Sequence, residues 1–224
     1  MQLSPIAHIH SPHTAKFAIP RQSNIVPGLT SVVTFLPPYR DPQALRGIEQ
    51  FDYLWLIWLF SANPDGQWSP TVRPPRLGGN ARIGVFASRS PFRPNPVGLS
   101  SVRLLSVNLD TPDGPQLVVS GADLLDGTPI LDIKPYIPYT DAHPDANAGY
   151  ASQPPQPSLT VDCPEHLLAK IPESQRQSLL QLLALDPRPA YHNDPERLYG
   201  FNFLNLEIQF KVQENNALCV INIF

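Results

Sequence analysis

Apolar and polar positions along the chain fall into short segments, most with a period near two. Ile6 to His10 alternates as Ile-Ala-His-Ile-His and predicts a first strand, and Ser31 to Leu36 predicts a second that stops at Pro37-Pro38. Asp41 to Gln50 suits a short helical turn, with Asp41 as its cap and Pro42 at its first position. Phe51 to Phe60 is apolar at every position after Asp52, the pattern of a strand buried on both faces, in a barrel or under other layers. Ile83 to Ala87 and Val97 to Val107 predict two more strands, separated by Ser88 to Pro96. That connection carries Pro91, Pro94 and Pro96, which can neither continue a ladder nor enter a helix interior, so it is a stiff loop. Gln116 to Ala122 predicts another strand, and the apolar run resuming at Ile130 follows a tight-turn signal at Asp126-Gly127. Ala142 to Ser158, rich in Pro, Ala, Gln and Asp, reads as a linker. After it, Pro172 to Leu185 predicts an amphipathic helix, and Phe201 to Gln209 with Ala217 to Ile223 predicts two strands. The carboxy-terminal part is thus a small helix-plus-hairpin module, and no internal repeat is visible.

Composition agrees with a folded, loop-rich chain. Of 224 residues 42% are hydrophobic and 16% charged, and the 28 prolines favour many loops and short strands. The longest apolar run, Tyr53 to Phe60, is far too short to span a bilayer, and Met1 to Ile6 lacks the basic and apolar regions of a signal peptide. A cytoplasmic protein without membrane contact is expected. Cys163 and Cys219 match no metal spacing and are expected as free thiols in a reducing compartment. His8, His10 and His13 lie close together, but no acid or cysteine lies near them, so they read as exposed strand-end histidines and no metal site is expected.

Charge changes the picture more. The formal net charge is −3, yet residues 1–140 hold 11 basic and 9 acidic side chains while 141–224 hold 5 and 10. Between Gly66 and Leu109 stand six arginines (Arg73, Arg76, Arg82, Arg89, Arg93, Arg103), with no lysine and no acid. Guanidinium suits planar, bidentate contact with carboxylate or phosphate and stacks on bases. With Arg89, Arg93 and Asn95 held in the proline-stiffened loop, an anionic ligand is favoured, a nucleic acid among the candidates. Asp132 and Lys134 interrupt an otherwise apolar run. Period-two alternation puts them on one face with Ile130 and Tyr136, as an ion pair or as part of a site, the latter preferred. No Gly-x-Gly-x-x-Gly turn, phosphate loop, His-Glu-x-x-His or Gly-x-Ser-x-Gly is present, so a nucleotide-like cofactor would not sit on a Rossmann turn.

Five ordered motifs, Pro20-Arg21-Gln22, Arg73 to Gly79, Gly84 to Pro96, Asp126 to Pro129 and Asp132 to Tyr136, together resemble the TsaA/TrmO family of S-adenosylmethionine-dependent tRNA methyltransferases. The match covers residues 1–141; Asp186 to Tyr191 and Tyr199-Gly200 look like the tail of its longer, bacterial-type members. The resemblance implies a mainly β chain. Residues 1–141 would form a non-Rossmann β-barrel that binds S-adenosylmethionine near a homodimer interface, 142–160 a linker, and 161–224 a small α+β module. It also implies methylation of N6 of threonylcarbamoyladenosine at tRNA position 37. Carried over by position, the cofactor residues are Pro20, Arg21, Gln22, Arg89, Leu99 and the turn Leu125, Asp126, Gly127 and Thr128. Asp126 and Asp132 are candidate bases, with Lys134 holding the charge in place. Arg73, Arg76, Arg93, Asn95 and Tyr136 are candidate substrate contacts. The chain departs from the family in having Ser61-Ala62 where many members place a His-Gln pair, which removes two side-chain contacts to the cofactor or moves them to the backbone. The alternative from another class is a non-catalytic RNA-binding module using the same arginines; a methyltransferase for a small metabolite would leave them unexplained.

Overall fold

The computed structural model describes residues 3–15, 19–63, 68–78, 80–188 and 194–224. Phe17 and Ala18 of the segment leading to Pro20, Gly79 of the second motif and residues 189–191 of the tail motif lie outside them. Twelve strands are present among the described residues: β1 (Ala7–His10), β2 (Thr30–Phe35), β3 (Tyr53–Leu59), β4 (Thr71–Val72), β5 (Ile83–Gly84), β6 (Val97–Asn108), β7 (Gln116–Ser120), β8 (Thr128–Pro135), β9 (Thr160–Asp162), β10 (Tyr199–Phe203), β11 (Leu206–Val212) and β12 (Ala217–Ile223). The helices are α1 (Pro138–Asp141), α2 (Glu165–Leu168) and α3 (Glu173–Ala184).

Six strands close an antiparallel barrel in the order β1-β2-β7-β6-β3-β8. Its interior is filled by alternate residues, Ala7 and Ile9, Val33 and Phe35, Leu54, Leu56 and Trp58, Val102, Leu117, Val119 and Ile130, as a small barrel requires. The predicted helical turn after β2 forms as two short 3-10 turns, Pro42–Leu45 and Ile48–Gln50, and Asp41 accepts a hydrogen bond from the Gln43 N–H at 2.9 Å.

Three expectations are corrected. Ile83 to Ala87 is strand only over Ile83–Gly84, after which Val85–Ala87 makes a 3-10 turn that buries Val85. The long apolar run in β3 is not buried on both faces. Leu54, Leu56 and Trp58 point inward, while Trp55, Ile57 and Leu59 lie half-buried on an outer face that continues onto Leu99, 54% exposed. Phe201 to Gln209 is not one strand but parts of β10 and β11, broken at Leu204 and Asn205. The tight turn expected at Asp126-Gly127 forms, but between strands that are not neighbours, because β7 pairs with β2 and β6 whereas β8 pairs with β1 and β3. The turn instead hangs across the barrel end, with the Asp126 and Gly127 N–H groups donating to His13 and Ile9 carbonyls at 2.7 and 2.9 Å.

The second sheet has the order β10-β11-β12-β9, with β9 parallel to β12. It packs under α3 through Leu179, Leu182 and Leu183. This core also takes in Val26 and Leu29 from the connection between β1 and β2. Gly28 between them lies so close to α3 that an added Cβ would stand 2.3 Å from the Ser178 Oγ. The barrel and the second sheet are therefore pinned together by a short loop of the barrel.

Candidate active site

One end of the barrel, where β3 finishes and β6 and β8 begin, carries a cavity of about 520 Å3. Trp58 to Asn63, Val97 to Leu99 and Thr128 line it from the strand ends, and Ile19 to Gln22, Ser88, Arg89, Pro91, Arg93, Asp123 and Leu125 line it from three connections. Sites for small organic ligands have this size and this mixture, mostly apolar walls with a few polar groups.

Seven residues expected to hold a cofactor meet here: Pro20, Arg21, Gln22, Arg89, Leu99, Leu125 and Thr128. The Arg89 Nη1 donates to the Gln22 Oε1, so two stretches 67 positions apart share one polar contact. Arg93 also lines the cavity, but its Nη1 donates to the Ser88 and Ser90 carbonyls at 3.0 and 3.2 Å and braces the proline loop. Ser61 and Ala62, the expected departure from the family pattern, line the cavity.

Other expected residues lie elsewhere. The Asp126 carboxylate turns away from the cavity, accepting from the Ser11 N–H at 3.0 Å and standing 3.5 Å from His10 Nδ1. Gly127 beside it, at φ 75°, supplies the turn and no wall. Asp132 and Lys134 form a 3.2 Å ion pair on the outer face of the barrel, opposite Ile57 and Trp55, so they are a pair and not part of the cavity. A bulge between Ile57 and Trp58 shifts the register. Ile130 therefore points into the core while Asp132 points out, against the single face read from alternation. Tyr136 packs against Trp55 and Tyr53 at ring distances of 5.4 and 6.2 Å on that outer face. Asn95 and Arg73 are exposed and off the cavity. The six arginines do not form one surface: Arg82 donates to the Thr71 Oγ1 at 2.9 Å, and Arg103 lies opposite Tyr53 in the middle of the sheet.

Sequence reading missed Asp123. It lines the cavity and accepts from the Ser100 Oγ at 2.6 Å, and Ser100 in turn accepts from the Trp58 Nε1–H at 3.0 Å. Burial pushes the Asp123 carboxyl above the usual aspartate range, opposed by the Ser100 hydrogen bond and by attraction to Arg89. Its signal was present as the first acid of Asp123-Leu-Leu-Asp126, but nothing in the spacing says which of the two turns inward. His13 was also misread: it is buried, its Nε2 has no hydrogen-bond partner among the described residues, and burial lowers its pKa to about 4. Among the described residues no group of three or more His, Cys, Asp or Glu could hold a metal ion.

Trp58 owes its place to Gly98, where an added Cβ would meet the indole ring at 2.3 to 2.6 Å. Gly98→Ala is expected to displace that ring, break the Trp58–Ser100 hydrogen bond and lower stability by about 1–3 kcal/mol. Thermal unfolding measures this, and an unchanged melting temperature would contradict the close packing.

A closed antiparallel barrel with a charged ligand cavity at one end is a class of small-molecule site distinct from Rossmann-type nucleotide binders. Comparison with known proteins makes the assignment specific. The family model of the tRNA-methyltransferase O N-terminal domain matches residues 8–142, and that of the TrmO C-terminal domain matches 156–223. The chain is 44% identical to the tRNA (adenine(37)-N6)-methyltransferase of Escherichia coli (strain K12) over 221 residues, which are 95% of this chain and 94% of that protein. It is 41% identical to a putative S-adenosylmethionine-dependent methyltransferase, RcsF, of Pseudomonas aeruginosa, over 99% of this chain and 96% of that one. A crystal structure of TrmO from Pseudomonas aeruginosa superposes with a TM-score of 0.77 at 34% identity, covering 100% of this chain and 98% of that chain. The chain belongs to the tRNA-methyltransferase O family.

Proposed function

We propose that this protein transfers a methyl group from S-adenosylmethionine to N6 of an adenine in tRNA, the adenine being threonylcarbamoyladenosine at position 37. One observation carries the reading. Residues from four separate stretches that the family resemblance nominates for the cofactor (Pro20 to Gln22, Arg89, Leu99, and Leu125 with Thr128) line a single cavity of fitting volume. Trp58, Phe60 and Leu99 offer apolar walls for an adenosine, and Arg89 offers a guanidinium for a carboxylate. When bound, the cofactor supplies a methyl group already activated on its sulfonium.

The chain must add alignment and a base. Asp123 has the position and the environment for the base: it faces the cavity, it is half-buried, and its raised pKa strengthens it as a proton acceptor. It takes the proton that N6 sheds on methylation. Ser100 and Trp58 hold the carboxylate in orientation. The half-covered outer strip of Trp55, Ile57, Leu59 and Leu99, which adjoins the cavity, suits a second copy of the chain and supports a homodimer. Among the described residues no helix is long and apolar enough to cross a membrane, and a tRNA substrate would put the protein in the cytoplasm.

The cofactor assignment is tested with Arg89. Arg89→Ala should weaken S-adenosylmethionine binding about ten- to a hundredfold, the effect of losing a charge-assisted hydrogen bond of about 1.5–3 kcal/mol. Isothermal calorimetry on the folded variant measures it, and unchanged affinity would remove Arg89 from the cofactor site.

A further inference from the structure

A second, larger groove of about 1140 Å3 opens beside the cavity and shares Ile19 to Gln22, Ser88 and Arg89 with it. One wall is built from barrel loops that carry Arg76 and Phe86; the other comes from the turn around Tyr150 and the segment after α3. Its charge is one-sided. Arg21, Arg76, Arg89 and Arg188 line it against a single carboxylate, Asp186, which already accepts from the Arg188 Nε and Nη2 at 2.8 Å. Among the described residues none of Arg21, Arg76 and Arg89 has a carboxylate within 4.0 Å. Arg76 spends one donor on the Gln153 carbonyl, which fixes its stem against the far wall without neutralising it.

The aromatic residues are as unusual as the arginines. Phe86 is 76% exposed although both neighbours in its 3-10 turn are fixed by that turn, and Tyr150 is 40% exposed on the facing turn Gly149–Ala151. A phenylalanine that adds almost nothing to any core, on the wall of a groove lined by Arg21 and Arg76, which no carboxylate among the described residues contacts, contributes little to folding. Exposed rings between cations are the composition with which proteins hold single-stranded nucleic acid: bases stack on the rings, and phosphates pair with the arginines.

We propose that this groove takes the unpaired nucleotides flanking the adenosine that enters the cavity, with phosphates on Arg21 and Arg76 and a base stacked on Phe86. The inference rests on the tRNA methyl-transfer reading, and the lining shared by groove and cavity is what lets one strand occupy both. It gives the segment between the two sheets, and the end of α3, a role as the outer wall of an RNA channel.

The test uses the full-length protein with tRNA at saturating S-adenosylmethionine. Methyl transfer by the unsubstituted protein is measured first; its absence would overturn the functional reading itself, and the groove with it. Given transfer, Arg76→Ala and Phe86→Ala should each raise the KM for tRNA about tenfold, with calorimetric affinity for S-adenosylmethionine unchanged. Arg76→Ala should also reduce the salt dependence of that KM, by about 0.7 in the log–log slope, because one phosphate fewer is neutralised. Unchanged KM and slope in both folded variants would overturn the groove while leaving the methyltransferase standing. A change of oligomeric state in Phe86→Ala with no RNA present, read by light scattering, would also overturn it and make the groove a contact between copies of the chain.

Discussion

Asp123→Asn is expected to slow methyl transfer by about 10²- to 10⁴-fold, the usual contribution of a positioned acid or base, with S-adenosylmethionine still bound. The side chain keeps its shape and can still accept from Ser100, so Trp58 and the cavity wall stay in place. Asparagine also does not carry the cost of a buried charge. Because the folded-state pKa of Asp123 is raised, its carboxylate costs stability above that pKa, and the cost fades as pH falls through it. The variant should therefore fold at least as well at neutral pH.

The pH profile distinguishes a base from a structural carboxylate. Activity should fall as pH drops through the raised Asp123 value, above the range of an ordinary aspartate, as the base is protonated. Asp123→Asn should lose that acid limb. Ser100→Ala, which removes a donor that favours the charged form, should move the limb to higher pH. An acid limb that stays in place in both variants would exclude Asp123 as the base.

Discrimination between substrates should be larger still. A base bearing a threonylcarbamoyl group brings a carboxylate to a cavity wall where Arg93 spends only its Nη1 on the Ser88 and Ser90 carbonyls and keeps its other donors for an anion. A site built to pair an anion rejects the analogue that lacks it, because its guanidinium groups are left without a partner, and such sites discriminate by factors on the order of 10⁴. Unmodified adenine is also a poor nucleophile at N6, where the lone pair is delocalised into the ring, and its N6–H is less acidic than that of a urea. Both effects act in one direction. Transfer of tritiated methyl groups should be fast to tRNA carrying the modification and on the order of 10⁴-fold slower to an unmodified transcript at equal concentration. Comparable rates would contradict the role of Arg93 in substrate choice.

Much of the fold was legible because period-two burial writes itself into a sequence. The stretch that became β6 alternates inward Gly98, Ser100 and Val102 with outward Leu99, Ser101 and Arg103, and α3 shows its leucines at helical spacing. What escaped depends on tertiary partners. The outer face of β3 is as apolar as its inner face, and only the closed barrel shows which is which. The bulge in the β3–β8 pairing flips Asp132 outward, and a bulge leaves no mark in composition. The hairpin between β10 and β11 turns on Leu204 and Asn205 at φ 51° and 65°, without the glycine that normally signals such a turn.

The site was legible in part for a similar reason. Motif residues named Pro20 to Gln22, Arg89 and the Leu125 to Thr128 stretch, and Pro20 to Gln22, Arg89, Leu125 and Thr128 do meet at one barrel end. They could not distinguish Asp123 from Asp126, since both belong to one polar turn and only burial separates them. Nor could they show that a run of arginines in sequence disperses over a cavity, a groove and an outer sheet face.

The most direct test of the central claim follows a labelled methyl group to its nucleoside. Purified protein is incubated with bulk tRNA and S-adenosylmethionine labelled in the methyl group, the tRNA is digested, and the nucleosides are resolved by mass spectrometry. The label should appear on threonylcarbamoyladenosine, at N6, and only when the protein is present. Label confined to another nucleoside, or none in tRNA under conditions where calorimetry shows the cofactor bound, would contradict the account.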